Sequence, residues 1–178
     1  MTGYRTDEGS YEAIVFDLDG TLVDLAVDWE VVRRDVATVL GDRGVTVDGH
    51  DLWAMLELAD ETGHRAPVEA AIGEHERRGA HDSDRLTAAD DLPLSVPVGV
   101  CSLNCEAACR IALDTHGLAE HVDALVGRDS VATEKPHPEP LLTVVTALSA
   151  RPERTLFVGD SERDELTARR AATDFRYV

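Results

Sequence analysis

A doubly wound α/β fold with an inserted helical module is what this chain of 178 residues predicts. Short apolar runs ending in an acid or a hydroxyl mark buried strands, and helical stripes alternate with them through the second half. Between the first two runs, residues 24–91 show helical periodicity alone, which marks an insertion.

The first run, Glu12-Ala-Ile-Val-Phe-Asp17, reads as a buried strand that delivers Asp17 at its carboxyl end, where α/β active sites collect. In the insertion, Trp29, Val32, Val36, Val39 and Leu40 make one helical stripe, and Leu52, Met55, Leu56 and Ala59 make a second. A third helix is expected to start near Pro67, since proline suits the first helical position, and residues 81–91 return the chain to the sheet. No strand is expected within the insertion. Val96 to Ser102 is the second strand, and Asn104 is the expected N-cap of a helix from Glu106 to His116 that Gly117 stops. Val122 to Val126 forms the third strand and a helix follows Pro138. Thr155 to Val158 forms the fourth strand, Ser161 to Ala172 a helix, and Phe175 to Val178 a last short strand. The alternation predicts a Rossmann-like parallel sheet of five strands with right-handed crossovers. The domains are then a core of residues 1–23 and 92–178 and a small helical cap of 24–91.

Composition narrows the function classes. Lys and Arg number 17 against 35 Asp and Glu, a net charge of −18 that repels nucleic acid backbones and anionic lipid. Neither partner is expected. Strong acidity with scarce lysine fits a salt-rich cytoplasm, where screening tolerates self-repulsion. The first ten residues carry no apolar run, and no stretch approaches the ~20 residues of a membrane-spanning helix, so a soluble cytoplasmic protein is expected. Either a monomer or a dimer fits. Cys101, Cys105 and Cys109 are odd in number and clustered, which rules out a disulfide framework. No Cys or His recurs at zinc spacing around them, and they read as small buried packing residues.

Lys135 is the only lysine, in Glu134-Lys135-Pro136-His137-Pro138. Where arginine supplies every other basic charge, a single ammonium suggests a chemical role. A compact charge on a flexible stem suits bridging a carboxylate and a phosphoryl group. Three further patterns stand with it: Asp17-Leu-Asp-Gly-Thr21, Ser102 after an apolar strand, and Gly159-Asp-Ser-Glu-Arg-Asp164. In this order, over almost the whole chain, they resemble the four motifs of the haloacid dehalogenase-like hydrolase superfamily. The helical cap resembles that of its phosphoglycolate-phosphatase-like branch.

The resemblance implies Mg²⁺-dependent hydrolysis of a small phosphate monoester, phosphoglycolate-like or a sugar phosphate, through an aspartyl-phosphate. Asp17 would be the nucleophile, and Asp19 the acid that protonates the leaving oxygen and then deprotonates water. Mg²⁺ would be held by Asp17, Asp160 and the backbone carbonyl of Asp19, with Asp164 supporting its water shell. Asp160 and Asp164 read as like charges at i, i+4 on the opening turn of a helix, a repulsion that a cation relieves. Ser102 and the amides after it, through Leu103 and Asn104, would grip phosphoryl oxygens at a helix N-terminus. Lys135 would neutralise charge shared by Asp17 and the phosphoryl group, Gly20 would permit the turn after the strand, and Thr21 would support it.

An acid at 19 favours ester hydrolysis over dehalogenation, threonine there would suggest a transport ATPase, and a cap without lysine excludes Schiff-base chemistry. Two alternatives remain: a hexose-phosphate mutase of the same fold, and a noncatalytic phospho-ligand sensor or interaction module, against which the intact acids and Lys135 argue. Within the cap, Trp29, Arg33 and Arg34 are candidates for a substrate ring or carboxylate, although arginines on an acidic protein more often pair with neighbouring acids. His64, His75 and His81 are ambiguous. Ala171-Ala172-Thr173 lacks the glycine usual after the last helix of this family, so the far sheet edge is expected to be short.

Overall fold

The computed structural model describes residues 11–178; the opening ten residues, read above as free of a targeting run, lie outside that range. Five parallel strands form the sheet: β1 (Ala13–Phe16), β4 (Val98–Cys101), β5 (Ala124–Val126), β6 (Thr155–Gly159) and β7 (Asp174–Tyr177), in the order β5-β4-β1-β6-β7. The doubly wound architecture predicted from the sequence is therefore present. The chain runs from β1 outward to β5, then crosses to the other side of β1 for β6 and β7. That reversal beside β1 opens a crevice at the strands' carboxyl ends.

All four β1 residues are buried, as a central parallel strand covered on both faces requires. Strand alternation divides the core into two layers. Ile14 and Phe16 join Val98, Val100, Leu156 and Val158 beneath α4 (Glu106–Thr115), while Val15, Cys101 and Phe157 face α5 (Glu139–Ala147) and α6 (Glu162–Ala171). Each fully buried Leu, Val or Phe contributes about 1.5–3 kcal/mol by leaving water.

The insertion holds α1 (Trp29–Gly41), α2 (Leu52–Glu61) and α3 (Arg65–His81). Asp28 caps α1 through Glu30 N and Val31 N, and Asp51 caps α2 through Ala54 N. The two stripes read from the sequence meet in a separate hydrophobic cluster of Val32, Val36, Leu40, Met55, Leu56 and Ala59, closed by Val68 and Ile72 of α3.

Three expectations need correction, and the expected short last strand is present. The insertion is flanked by a short antiparallel ladder of β2 (Val23–Asp24) with β3 (Asp84–Arg85), and strands of two residues leave no period to detect. Helix α3 begins two residues before Pro67. The N-cap of α4 is Cys105, not Asn104. The last edge strand does form, since Ala172 takes the left-handed cap conformation (φ 57°, ψ 35°) without glycine and turns the chain into β7.

Candidate active site

The ends of β1, β4 and β6 lie level, because Phe16 is in register with Val100 on one side and Val158 on the other. Asp17, Ser102 and Asp160 therefore emerge along one edge. The chain then turns sharply: Leu18 O accepts the N–H groups of Thr21, Leu22 and Val23, and Gly20 N donates to Val23 O. Gly20 has φ +83°, and a Cβ there would come within 2.3 Å of Asp160 Oδ2, so backbone conformation and crowding both require glycine. The Thr21 hydroxyl is buried without a hydrogen-bond partner, and that residue supports the turn through its backbone alone.

Lys135 is buried on the loop between β5 and α5, and its Nζ donates to Asp17 Oδ1 at 2.8 Å and to Asp164 Oδ1 at 2.5 Å. Burial works against its charge, but the two carboxylates overcome this and hold its pKa above the ordinary range. Asp164 is the third residue of a capping box: Oδ2 accepts from Ser161 Oγ at 2.6 Å, and Asp164 N donates back to Ser161 Oγ at 3.2 Å. Asp160 stands before that N-cap, outside the helix, so the expected i, i+4 pairing on one helical face does not exist. The strand end and the cap bring the two acids together instead.

Carboxylate oxygens of Asp17, Asp160 and Asp164 lie within 4.8 Å of one another. Burial pushes Asp17 up to about 7, reinforced by the charge of Asp164 and opposed by Lys135. Burial and Asp164 also raise Asp160. Crowded oxygen donors whose own repulsion favours protonation are a fit for a hard divalent cation. Both oxygens of Asp164 already accept hydrogen bonds, which leaves Asp17 and Asp160 as the better placed donors. Asp19 Oδ1 accepts from Leu25 N at 2.8 Å, and burial pushes this carboxyl up to about 6 against that bond, helped by Asp24, Asp160 and Glu76.

The loop after β4 departs from expectation. Ser102 Oγ donates to Asn104 Oδ1 at 3.0 Å and accepts from Asn104 N at 3.1 Å. The next two amides are engaged by distant acids: Cys105 N donates to Glu76 Oε2 at 3.0 Å and Glu106 N to Asp129 Oδ1 at 2.7 Å. The amides of Asn104, Cys105 and Glu106 are thus all engaged within the protein, and the first turn of α4 is not open to an anion as the sequence implied.

Sequence reasoning missed Glu76 and Arg128. Their side chains are 1% and 2% exposed, and the guanidinium grips the carboxylate through Nη1–Oε1 at 2.6 Å and Nη2–Oε2 at 3.0 Å. Arg128 Nη1 also donates to Leu103 O at 2.6 Å, and Nε donates to Glu69 Oε2 at 2.9 Å. Arg65 extends the network to Glu69 and to Glu134, the neighbour of Lys135. Helix α3 thereby braces both loops that carry site residues. A signal was available: Glu76 interrupts the buried α3 stripe of Val68, Ile72 and Ala80.

A cavity of about 510 Å³ opens over this edge, with Asp17, Asp19, Lys135 and Asp160 at its base and Leu103 and Asn104 beside them. The cap supplies the facing wall, which includes Trp29, Arg33 and Trp53. Ser102 is buried one residue back. Arg33 is forked onto Glu30, Arg34 Nε donates to Glu30 O, and His75 Nε2 lies 2.7 Å from Asp35 Oδ2. His64 is the N-cap residue of α3 and His81 the last residue of that helix.

A protein-family model described as "Haloacid dehalogenase-like hydrolase" matches residues 92–178. The chain is 30% identical to a phosphoglycolate phosphatase of Salmonella choleraesuis, over 89% of its length and 77% of that protein's. It is 32% identical to one from Rhodospirillum rubrum, covering 90% and 76%, and 28% identical to the pyrophosphatase PpaX of Oceanobacillus iheyensis, covering 91% and 80%. The chain belongs to the haloacid dehalogenase-like hydrolases. It is an enzyme of that family, and its relatives here are named as phosphatases. Among solved structures, a putative phosphoglycolate phosphatase from Lactobacillus plantarum superposes with a TM-score of 0.67 at 23% identity, over 94% of this chain and 86% of the other. CbbY from Rhodobacter sphaeroides, in complex with phosphate, reaches 0.69 at 21% over 94% and 85%, and both share the fold.

Among the described residues, no helix is long and apolar enough to cross a membrane. The three cysteines are free and buried.

Proposed function

We propose that this enzyme is a Mg²⁺-dependent phosphatase of small-molecule phosphate monoesters that works through an aspartyl-phosphate on Asp17. The observation carrying this reading is the single buried ammonium of Lys135 held between Asp17 and Asp164, beside Asp160, at the level ends of β1 and β6. Relatives named phosphoglycolate phosphatase, at about a third identity, support the reaction class.

An Asp17 carboxylate oxygen attacks phosphorus in line with the ester oxygen, whose bond to phosphorus breaks as the Asp17 O–P bond forms. Asp19, whose carboxyl is pushed up to about 6, gives its proton to the departing alkoxide. Its carboxylate then takes a proton from water, the resulting hydroxide attacks phosphorus, and the Asp17 O–P bond breaks to release phosphate. Lys135 balances negative charge on Asp17 and the transferring group throughout, and Leu103 and Asn104 face the phosphoryl oxygens. When bound by Asp17, Asp160 and the Asp19 carbonyl, Mg²⁺ supplies Lewis-acid neutralisation of phosphoryl charge. Cytoplasmic residence in a salt-rich cell belongs to the same reading, supported by the charge of −18.

Phosphate release from a chromogenic ester, with and without chelator, tests the proposal. Turnover should stop on chelation, return with Mg²⁺, and be absent from a folded Asp17→Asn variant. Retained turnover in that variant would remove Asp17 as the nucleophile.

A further inference from the structure

The cap wall shows what kind of leaving group the cavity receives. The chain has two tryptophans, and both Trp29 and Trp53 line this one cavity, as do Leu52 and Leu103. Trp29 is 39% exposed, a large apolar ring left open at the mouth. Trp53 is held from the core side, because the Arg163 guanidinium of α6 lies 4.4 Å from its ring centroid. Two flat apolar surfaces are thus presented above the acids that would perform the chemistry.

Charge excludes the alternative leaving group. The cations on the cavity wall are Lys135, bound to Asp17 and Asp164, and Arg33, bidentate on Glu30 at 3.1 and 2.8 Å. Arg163 is stacked on Trp53. The other charges facing the space are the acids Asp19, Glu30, Asp51 and Asp160. A second carboxylate on the substrate would meet like charge and, among the described residues, no unengaged cation on the cavity wall. A volume near 510 Å³ lies in the range that holds drug-sized molecules, well beyond the needs of a two-carbon acid.

We infer that the substrates are phosphate monoesters whose leaving group carries an uncharged planar ring, the chemistry of a nucleoside 5′-monophosphate, with Trp29 and Trp53 selecting the ring. This rests on the phosphatase reading above and adds the specificity. Stacking of a base on an aromatic side chain contributes roughly 5- to 150-fold per base in binding and tolerates base identity, because every base has a π-face.

The test compares adenosine 5′-monophosphate, ribose 5-phosphate and 2-phosphoglycolate with Mg²⁺ present. Ribose 5-phosphate keeps the sugar and phosphoryl group and removes the ring. Adenosine 5′-monophosphate should exceed both others in kcat/KM by at least about tenfold. Trp29→Ala and Trp53→Ala should each erase most of that advantage through KM, lowering kcat/KM severalfold more for adenosine 5′-monophosphate than for ribose 5-phosphate. A second readout needs no turnover: the only tryptophans are the two in the cavity, so their fluorescence in the Asp17→Asn variant should be quenched by adenosine 5′-monophosphate and not by ribose 5-phosphate. Preference for 2-phosphoglycolate, equal rates with and without the ring, or an unquenched spectrum overturns the inference while leaving the phosphatase intact. Failure to hydrolyse any of the three esters, with quenching still ring-dependent, would instead overturn the phosphatase reading.

Discussion

Truncating Glu76 to alanine should weaken the whole molecule and the site together. Glu76 is 1% exposed and satisfies four donors: both terminal nitrogens of Arg128, the N–H of Cys105 and, at 3.4 Å, Nδ2 of Asn104. Breaking one side of a buried ion pair costs about 3–5 kcal/mol, because the remaining charge stays buried. Arg128 keeps Glu69 at 2.9 Å and Leu103 O at 2.6 Å, which places the loss near the lower bound, about 3 kcal/mol including the orphaned amide. For a chain of this size that corresponds to a fall in Tm of about 6–12 °C. Stability of about 5–15 kcal/mol leaves the variant folded at room temperature. Activity should fall as well, since Leu103 and Cys105, the neighbours of Asn104, lose their brace. The assay is a double-mutant cycle by thermal or urea unfolding with Glu76→Ala, Arg128→Met and the pair, read beside kcat/KM. The pair should cost much less than the sum of the singles, since no unpaired charge remains buried. Additive losses, or a Glu76→Ala variant within about 0.5 kcal/mol of the parent, would refute the claim that this network holds cap and loop together.

Replacing Lys135 by Met leaves Asp17 and Asp164 facing each other without their shared cation, so Asp17 should hold its proton more tightly and turnover should fall by about a hundredfold or more; a rate within threefold would contradict the charge-balancing role. Lys135→Arg should not rescue, because a planar fork cannot take the place of a point charge between two fixed oxygens. Gly20→Ala should lose about 1–2 kcal/mol from its φ of +83° alone and should impair Mg²⁺ binding through the 2.3 Å approach to Asp160, measurable as a raised metal requirement. Burial pushes the thiols up, Cys101 to about 12 and Cys105 to about 11, so neither forms appreciable thiolate at pH 8. A thiol reagent should therefore leave all three native cysteines unlabelled and label three after unfolding; rapid native labelling would show that the α4 face opens.

What could be read without coordinates followed from short-range rules. Apolar runs of four or five residues capped by Asp17, Ser102 or Asp160 announce buried parallel strands. The stripes through Val32, Val36 and Leu40 and through Met55, Leu56 and Ala59 announce helices that need one another. Two-residue strands at 23–24 and 84–85 escaped because alternation has no meaning over two positions. Asn104 looked like a helix cap by residue type, yet its neighbour Cys105 takes that position, and the amides beyond are satisfied by Glu76 and Asp129, 29 and 23 residues away. Capping is predictable only when the acceptor is local.

The alternation of strands and helices in the α/β layer, the identity of its acids and the singular lysine were thus set in the primary structure, because periodicity and residue chemistry act within a few positions. Which oxygen Lys135 holds, the placement of Asp160 outside the helix of Asp164, and the pairing of Arg128 with Glu76 and of Arg163 with Trp53 were decided only by folding. The contacts of Lys135, Arg128 and Arg163 join residues separated by tens to more than a hundred positions, and in such contacts burial turns weak surface pairs into strong ones, with a geometry that no local rule contains.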